Sequence, residues 1–179
     1  MFRVTTSLIY ALLATVVVSA VGYAADIEYT LTGTGVRIKK VAFVSVKTYQ
    51  ISHSMLQPPA HGTPLAVINA DTGKRFVLRM LRDMDHEKLA AGLREGFALN
   101  GYTNSENISK FLAALSKDLP EGSTVAIAYD SIAKETTIRA PGRSSATIAG
   151  VEFMKAVWSL WFGKSDQPQL AAELVSKLS

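Results

Sequence analysis

Cysteine is absent from the 179 residues. Its absence excludes disulfide frameworks, cysteine-ligated zinc or iron–sulfur centres, thiol nucleophiles and lipidated cysteines. Histidine is scarce: His53, His61 and His86 have no ligand-type spacing, so no metal site is expected and each reads as a surface residue. Runs of one charge are also missing. Against 15 acids stand 19 Lys and Arg, a net charge of +4, with no five or six basic residues in a row. That leaves no electrostatic argument for a nucleic-acid partner. There is no G-x-S-x-G elbow and no P-loop, and Gly33-Thr34-Gly35 lacks the later glycine and the helix that a dinucleotide needs. Nucleotide-dependent enzymes are therefore excluded, and no cofactor is expected.

The amino end carries a different signal. Arg3 precedes an apolar run over residues 8–20, and small residues follow before Asp26. This is the grammar of an export leader, with Gly22 and Ala24 at the −3 and −1 positions of a cut after residue 24. The expected division is a leader over 1–24 and one domain over 25–179, placed in the periplasm or secreted, with no membrane span after cleavage. The alternative is an uncleaved anchor, because residues 8–25 reach about the 18 at which a span becomes possible. A mature chain of about 155 residues buries roughly two-thirds of its unfolded surface, enough for a core without staples.

The pattern over 27–80 is strand-like. Ile27-Glu28-Tyr29-Thr30-Leu31 alternates, residues 41–49 are β-branched and aromatic, and 76–80 follow. Gly33-Thr34-Gly35 reads as a tight turn and 57–62 as a loop. Ala66-Val67-Ile68 reads as a short strand before the hairpin signal Asp71-Thr72-Gly73. Leu89, Leu93 and Phe97 then recur at helical spacing, predicting a helix over 85–100 that Gly101 stops. Thr103-Asn104-Ser105-Glu106 has the form of a capping box opening a second helix, and Asn107-Ile108-Ser109, though a glycosylation sequon, reads as helix surface. Strands are expected at 124–129, 136–138 and 146–148. A helix apolar on most sides follows over 153–162, and a last one from Pro168 carries Leu170, Leu174 and Leu178. The fold class is α+β, an antiparallel sheet with a layer of helices on one face.

Few residues suggest chemistry. Asp83 and Asp85, beside His86, read as helix-capping acids. Arg37 enters a strand behind a glycine-rich segment. It is either an exposed strand arginine or a guanidinium facing an apolar hollow and pairing with an anion.

The ordered set Gly35-Val36-Arg37, Val41 to Tyr49, Arg82-Asp83-Met84, Arg94-Glu95-Gly96-Phe97, Gly122 to Tyr129, and Ile148 through Trp158, Trp161 and Gly163 to Leu170 resembles the exported bacterial chalcone isomerase-like proteins. The resemblance implies an open-faced β-sandwich, a large antiparallel sheet backed by helices with a ligand cleft between. It also implies one of two roles: ring closure of a chalcone, or non-catalytic binding of fatty acids. Arg37 matches the family's active-site arginine. The hydroxyl partners of the isomerases do not carry over. The strand threonine falls on Val44, with Ser45 adjacent, and the late-helix hydroxyl falls on Leu160, with Ser159 adjacent. The helix tyrosine has no counterpart over 82–100. Each lost oxyanion donor removes about 3–4 kcal/mol of transition-state stabilisation. The expectation is therefore a fatty acid or similar small amphipathic carboxylate held by Arg37, with Ser45, Tyr49, Tyr129 and Ser159 as candidate ligand contacts, although both tyrosines, on strands, read first as core packing. Two alternatives stay open. One is an isomerase in which Ser45 and Ser159 replace the missing hydroxyls; the other is a structural module whose cleft is filled by Trp158, Trp161 and Phe162.

Overall fold

The computed structural model describes residues 28–41, 43–142 and 145–178; the expected leader lies outside them. Within these residues the β-branched and aromatic segments form six strands: β1 (Thr30–Val41), β2 (Val44–Met55), β3 (Lys74–Met80), β4 (Thr124–Asp130), β5 (Glu135–Arg139) and β6 (Ser145–Ala149). They pair in sequence order, every pair antiparallel, so the sheet is a continuous meander with β1 and β6 at its edges. Among the described residues five helices complete the α+β fold: α1 (Pro64–Asn69), α2 (His86–Leu99), α3 (Ser105–Ala113), α4 (Val151–Phe162) and α5 (Pro168–Leu174).

Alternation along the strands selects the covered face. On β3, Phe76, Leu78 and Met80 are buried while Arg75 and Arg79 are exposed, and on β4 Val125, Ile127 and Tyr129 point inward. The helix over 151–162 lies against this face and is buried on most sides, as its composition requires: Phe153, Met154, Ala156, Val157, Trp158, Trp161 and Phe162 are all inside. Phe76 is ringed by Trp158 at 5.1 Å, Trp161 at 4.7 Å and Phe162 at 5.7 Å between ring centroids.

Several local expectations fail for tertiary reasons. Gly33 and Gly35 make no turn; both lie within β1, beneath α5. A Cβ on Gly33 would overlap the backbone of Glu173 and Leu174, and one on Gly35 would overlap the Leu170 side chain. The glycines serve close helix–strand approach. The strand expected over 41–49 is broken by the β1–β2 reversal at Phe43, and β2 starts at Val44.

Ala66-Val67-Ile68 is helical, and Asp71-Thr72-Gly73 joins α1 to β3 instead of closing a hairpin. Thr63 Oγ1 accepts from the Ala66 amide and Pro64 occupies the first turn, while the buried Lys74 ammonium donates to the carbonyls of Val67, Ile68 and Ala70 at 2.7, 3.0 and 2.9 Å. Both ends are thereby satisfied in a helix too short to persist alone. Burial lowers the Lys74 pKa to about 7, and the three carbonyls favour its charged form.

Asn104, not Thr103, caps α3, because the helix begins one residue later than a capping box needs; its side chain accepts from the Asn107 amide. Asn107 itself is half-buried and donates to the Tyr102 hydroxyl. The last helix stops at Leu174, after which the Lys177 amide donates to the Thr32 carbonyl on the edge of β1. His53, expected at the surface, is fully buried. The core closes over it because Thr32 and Trp158 satisfy both ring nitrogens. Of the two acids expected to cap α2, Asp85 does so, accepting from the Lys88 amide, whereas Asp83 lies outside the helix and accepts from the Glu121 amide, because the 119–122 turn folds back beside it.

Candidate functional site

Two irregularities in the β1–β2 ladder shape the site. The register shifts between Leu31 and Gly33 and again between Arg37 and Ile38, where Arg37 faces Tyr49 but Ile38 faces Lys47. Thr48 is therefore the extra residue of a bulge, and the side-chain parity of β2 changes across it. Val44 and Val46 share one face before the bulge; Tyr49, Ile51 and His53 continue that face after it. With the sheet so bent, the hairpin, α2 and the segment joining α4 to α5 enclose a cleft of about 1020 Å³, at the large end of small-molecule pockets, roughly 300–1,000 Å³. Its apolar wall includes Val44, Val46, Leu89, Leu93, Leu160 and Trp161.

Arg37 lies on this wall, its side chain 23% exposed. Its Nη2 donates to Asp166 Oδ1 at 2.5 Å and its Nη1 to Gln167 Oε1 at 3.4 Å. The backbone around it is clamped. Gln167 is buried; its Oε1 accepts from the Ile38 amide at 2.8 Å and its Nε2 donates to the Val36 carbonyl at 2.9 Å, so one amide side chain continues the ladder at the open edge of β1. Thr48 Oγ1 donates to the Arg37 carbonyl at 2.9 Å. The guanidinium is thus fixed at its base and meets an acid that is 65% exposed, an ion pair that water screens and that contributes little.

Tyr49, opposite Arg37 in the register, also lines the cleft. Its hydroxyl accepts from the Trp161 indole N–H at 3.0 Å, and among the described residues it donates to no acceptor. Burial raises the Tyr49 pKa, against smaller lowering effects of the indole bond and the Arg37 charge. The phenol therefore keeps its proton at neutral pH and can donate it to an anion beside Arg37.

The other three candidates lie off the cleft. Ser45 pairs with Lys40 on the opposite face of the hairpin from Val44 and Val46 and is exposed. Ser159 precedes Leu160 and Trp161, which face the cleft; a rotation of about 100° per residue turns it away, and its Oγ donates to the Lys155 carbonyl. Tyr129 is buried on β4, donating to Asp71 at 2.8 Å, and Asp71 also takes the Lys134 ammonium. Burial and the Asp71 bond both raise the Tyr129 pKa.

Thr48, Asp166 and Gln167 escape sequence reasoning. The bulge that turns Thr48 inward is a property of strand pairing. Gln167 meets β1 across 129 residues of chain, and its only local signal is its place before Pro168. Among the described residues there is no group of three or more side chains able to hold a metal ion, and no helix long and apolar enough to cross a membrane.

The sequence profile of the chalcone isomerase-like family matches residues 13–174. The chain belongs to this family. No curated protein sequence matches it. Among solved structures it is similar to a fatty-acid binding protein of Arabidopsis thaliana, with a TM-score of 0.66 and 13% identity over 86% of this chain and 90% of the other. At that identity the likeness concerns the fold, which is the chalcone isomerase-like arrangement of an open antiparallel sheet with helices. Within it, the cleft of this family member presents hydrocarbon at Val44 and Leu160, the positions at which the resemblance to isomerases calls for hydroxyls.

Proposed function

We propose that the protein binds a fatty acid or a similar amphipathic carboxylate in the cleft, without transforming it. The observation that carries this reading is a guanidinium and a protonated phenol side by side on the wall of an otherwise largely apolar cleft of about 1020 Å³. A carboxylate takes both donors, in charge-assisted hydrogen bonds, and its chain lies along Val46, Leu93 and Leu160. The weak, exposed Asp166 contact is exchanged for the ligand. That the Arabidopsis neighbour is a fatty-acid binding protein is in keeping with this. Hydrocarbon at Val44 and Leu160 disfavours an isomerase, and an open cleft beside Trp161 disfavours a collapsed structural module. We further propose that residues 1–24 are a cleaved leader and that the domain of 25–179 works in the periplasm or outside the cell. A mature protein starting at Ala25 on N-terminal sequencing supports this; one starting at Met1 overturns it.

Calorimetric titration with hexadecanoate tests the site. Arg37→Gln is expected to weaken binding roughly 10- to 100-fold, the loss of a hydrogen bond to a charged group. Asp166→Asn is expected to strengthen it severalfold by removing the competing anion. The methyl ester binds weakly and is indifferent to both changes. Equal affinity in Arg37→Gln removes the anchor from the proposal, and turnover of a chalcone by the wild type removes the claim that the ligand leaves unchanged.

A further inference from the structure

The β1–β2 hairpin reaches past the rest of the sheet. The last pairing of β2 with β3 is Tyr49 with Met80, extended by one bond from the Leu81 amide to the Thr48 carbonyl; among the described residues the outer edge of β2 between Phe43 and Lys47 has no neighbouring strand. At the tip Phe43 is wholly exposed and Val44 largely so. An isolated exposed apolar residue is ordinary, but the surroundings of this pair are not. From Tyr29 to Ala70 the sequence contains no acid, while Lys39, Lys40 and Lys47 flank the tip. The register puts Lys39 with Val46 on the cleft face, and Lys40 with Ser45, and Lys47 with Ile38, on the opposite face. An apolar tip thus stands between ammonium groups on both faces of a two-stranded ribbon, in a chain whose overall charge is only +4.

We propose that this tip docks the protein on anionic phospholipid membranes. Phe43 and Val44 enter the boundary between headgroups and acyl chains, where aromatic and aliphatic groups gain by leaving water. Lys39, Lys40 and Lys47 meet the headgroup phosphates, each basic residue near such a surface adding about fivefold in affinity. A protein partner with an apolar pocket would equally accept Phe43, but the absence of any acid over the whole hairpin matches a uniformly negative surface better than the mixed charge of a protein face. Lys39, Val44 and Val46 belong to the hairpin and to the cleft wall at once, so docking brings the cleft against the bilayer. Exchange of a ligand between bilayer and cleft rests on the proposed function; docking does not.

Co-sedimentation with vesicles tests it, using phosphatidylcholine alone and phosphatidylcholine with phosphatidylglycerol. The wild type is expected to bind the mixed vesicles, to bind the neutral ones at least tenfold more weakly, and to lose affinity as salt rises. Phe43→Ser and the double variant Lys40→Gln/Lys47→Gln touch no cleft-lining residue. Each is expected to reduce vesicle binding about tenfold or more while binding hexadecanoate in vesicle-free solution as the wild type does. Equal binding to neutral and anionic vesicles, or undiminished binding by Phe43→Ser, overturns the proposal. So does concentration-dependent self-association that Phe43→Ser abolishes, which assigns the tip to a second copy of the chain. Loss of hexadecanoate binding in Arg37→Gln, or its persistence, leaves the vesicle result unaffected, so the two readings fail separately.

Discussion

His53 shows how a single side chain ties four elements together. The Trp158 indole can only donate, so its 2.9 Å contact fixes His53 Nε2 as an acceptor and places the ring proton on Nδ1. Nδ1 then donates to Thr32 Oγ1 at 2.6 Å, and the Thr32 hydroxyl donates to the Leu174 carbonyl at 2.8 Å. The relay joins β1, β2, α4 and α5 and works only with neutral imidazole. Burial, and secondarily the Lys74 charge, lower the His53 pKa to about 3. Above pH 6.5 both folded and unfolded chains carry neutral His53 and stability from this group is complete. Below it the unfolded chain takes up a proton that the folded chain refuses, so stability falls with pH, by roughly 1.4 kcal/mol per unit between about 6.5 and 3. His86 acts in the opposite sense. Its hydrogen bond to Asp118 raises its pKa, so its contribution is present below the unfolded pKa and fades as pH rises. Urea unfolding from pH 7 to 5 is expected to show the decline in the wild type and a shallower one in His53→Gln. NMR titration is expected to find the His53 ring still neutral at pH 5; a ring that protonates near 6.5 contradicts this.

At the scale of elements, the docking of α5 on β1 depends on two missing methyl groups. The backbone of Glu173 and Leu174 occupies the space a Cβ on Gly33 would need, whereas Gly92, on α2, has nothing within 4 Å of its would-be Cβ. Gly33→Ala must lift the helix or bend the strand and is expected to cost about 1–3 kcal/mol, the usual penalty of overpacking. Gly92→Ala is expected to stabilise by up to about 1 kcal/mol, through helix propensity alone. Urea midpoints of the two variants separate the effects, and a neutral Gly33→Ala would mean that α5 does not press on β1. Because Gln167 enters the same helix and clamps the backbone around Arg37, a displaced α5 also loosens the cleft wall.

For the whole molecule, ligand binding and folding are linked. The cleft exists only when the hairpin, α2 and the α4–α5 segment are assembled, so a ligand that occupies it binds the folded chain alone. Hexadecanoate at one hundred times its dissociation constant is expected to add about 2.7 kcal/mol and to raise Tm by roughly 5–10 °C for a domain of this size. Differential scanning calorimetry reads this directly; an unchanged Tm at that concentration argues against a site in the assembled cleft. The same dependence on assembly limits what residue patterns reveal. Arg37 is legible from the resemblance and lines the cleft; strand position offers Tyr49 and Tyr129 alike, and only Tyr49 lines it. Ser45 and Ser159 adjoin the positions that lack hydroxyls, and a one-residue shift on a strand or a helix turns a side chain away.

The sequence by itself determined the class of the fold, the position of most strands and helices, the buried character of the helix over 151–162 and the family. The fold class and its elements follow from periodicity, caps and composition, which act between residues close in the chain, and the family from the ordered set of motifs that carries the resemblance. Only the tertiary structure decided that Gly33 and Gly35 seat a helix, that Ala66-Val67-Ile68 coil around a lysine six to eight residues away, and that His53 is buried. It alone decided that a bulge at Thr48 and a side-chain amide 130 residues distant hold Arg37 on the wall of a cleft. Those outcomes depend on which surfaces exclude water together and which buried polar groups find partners, and neither is a property of any one segment.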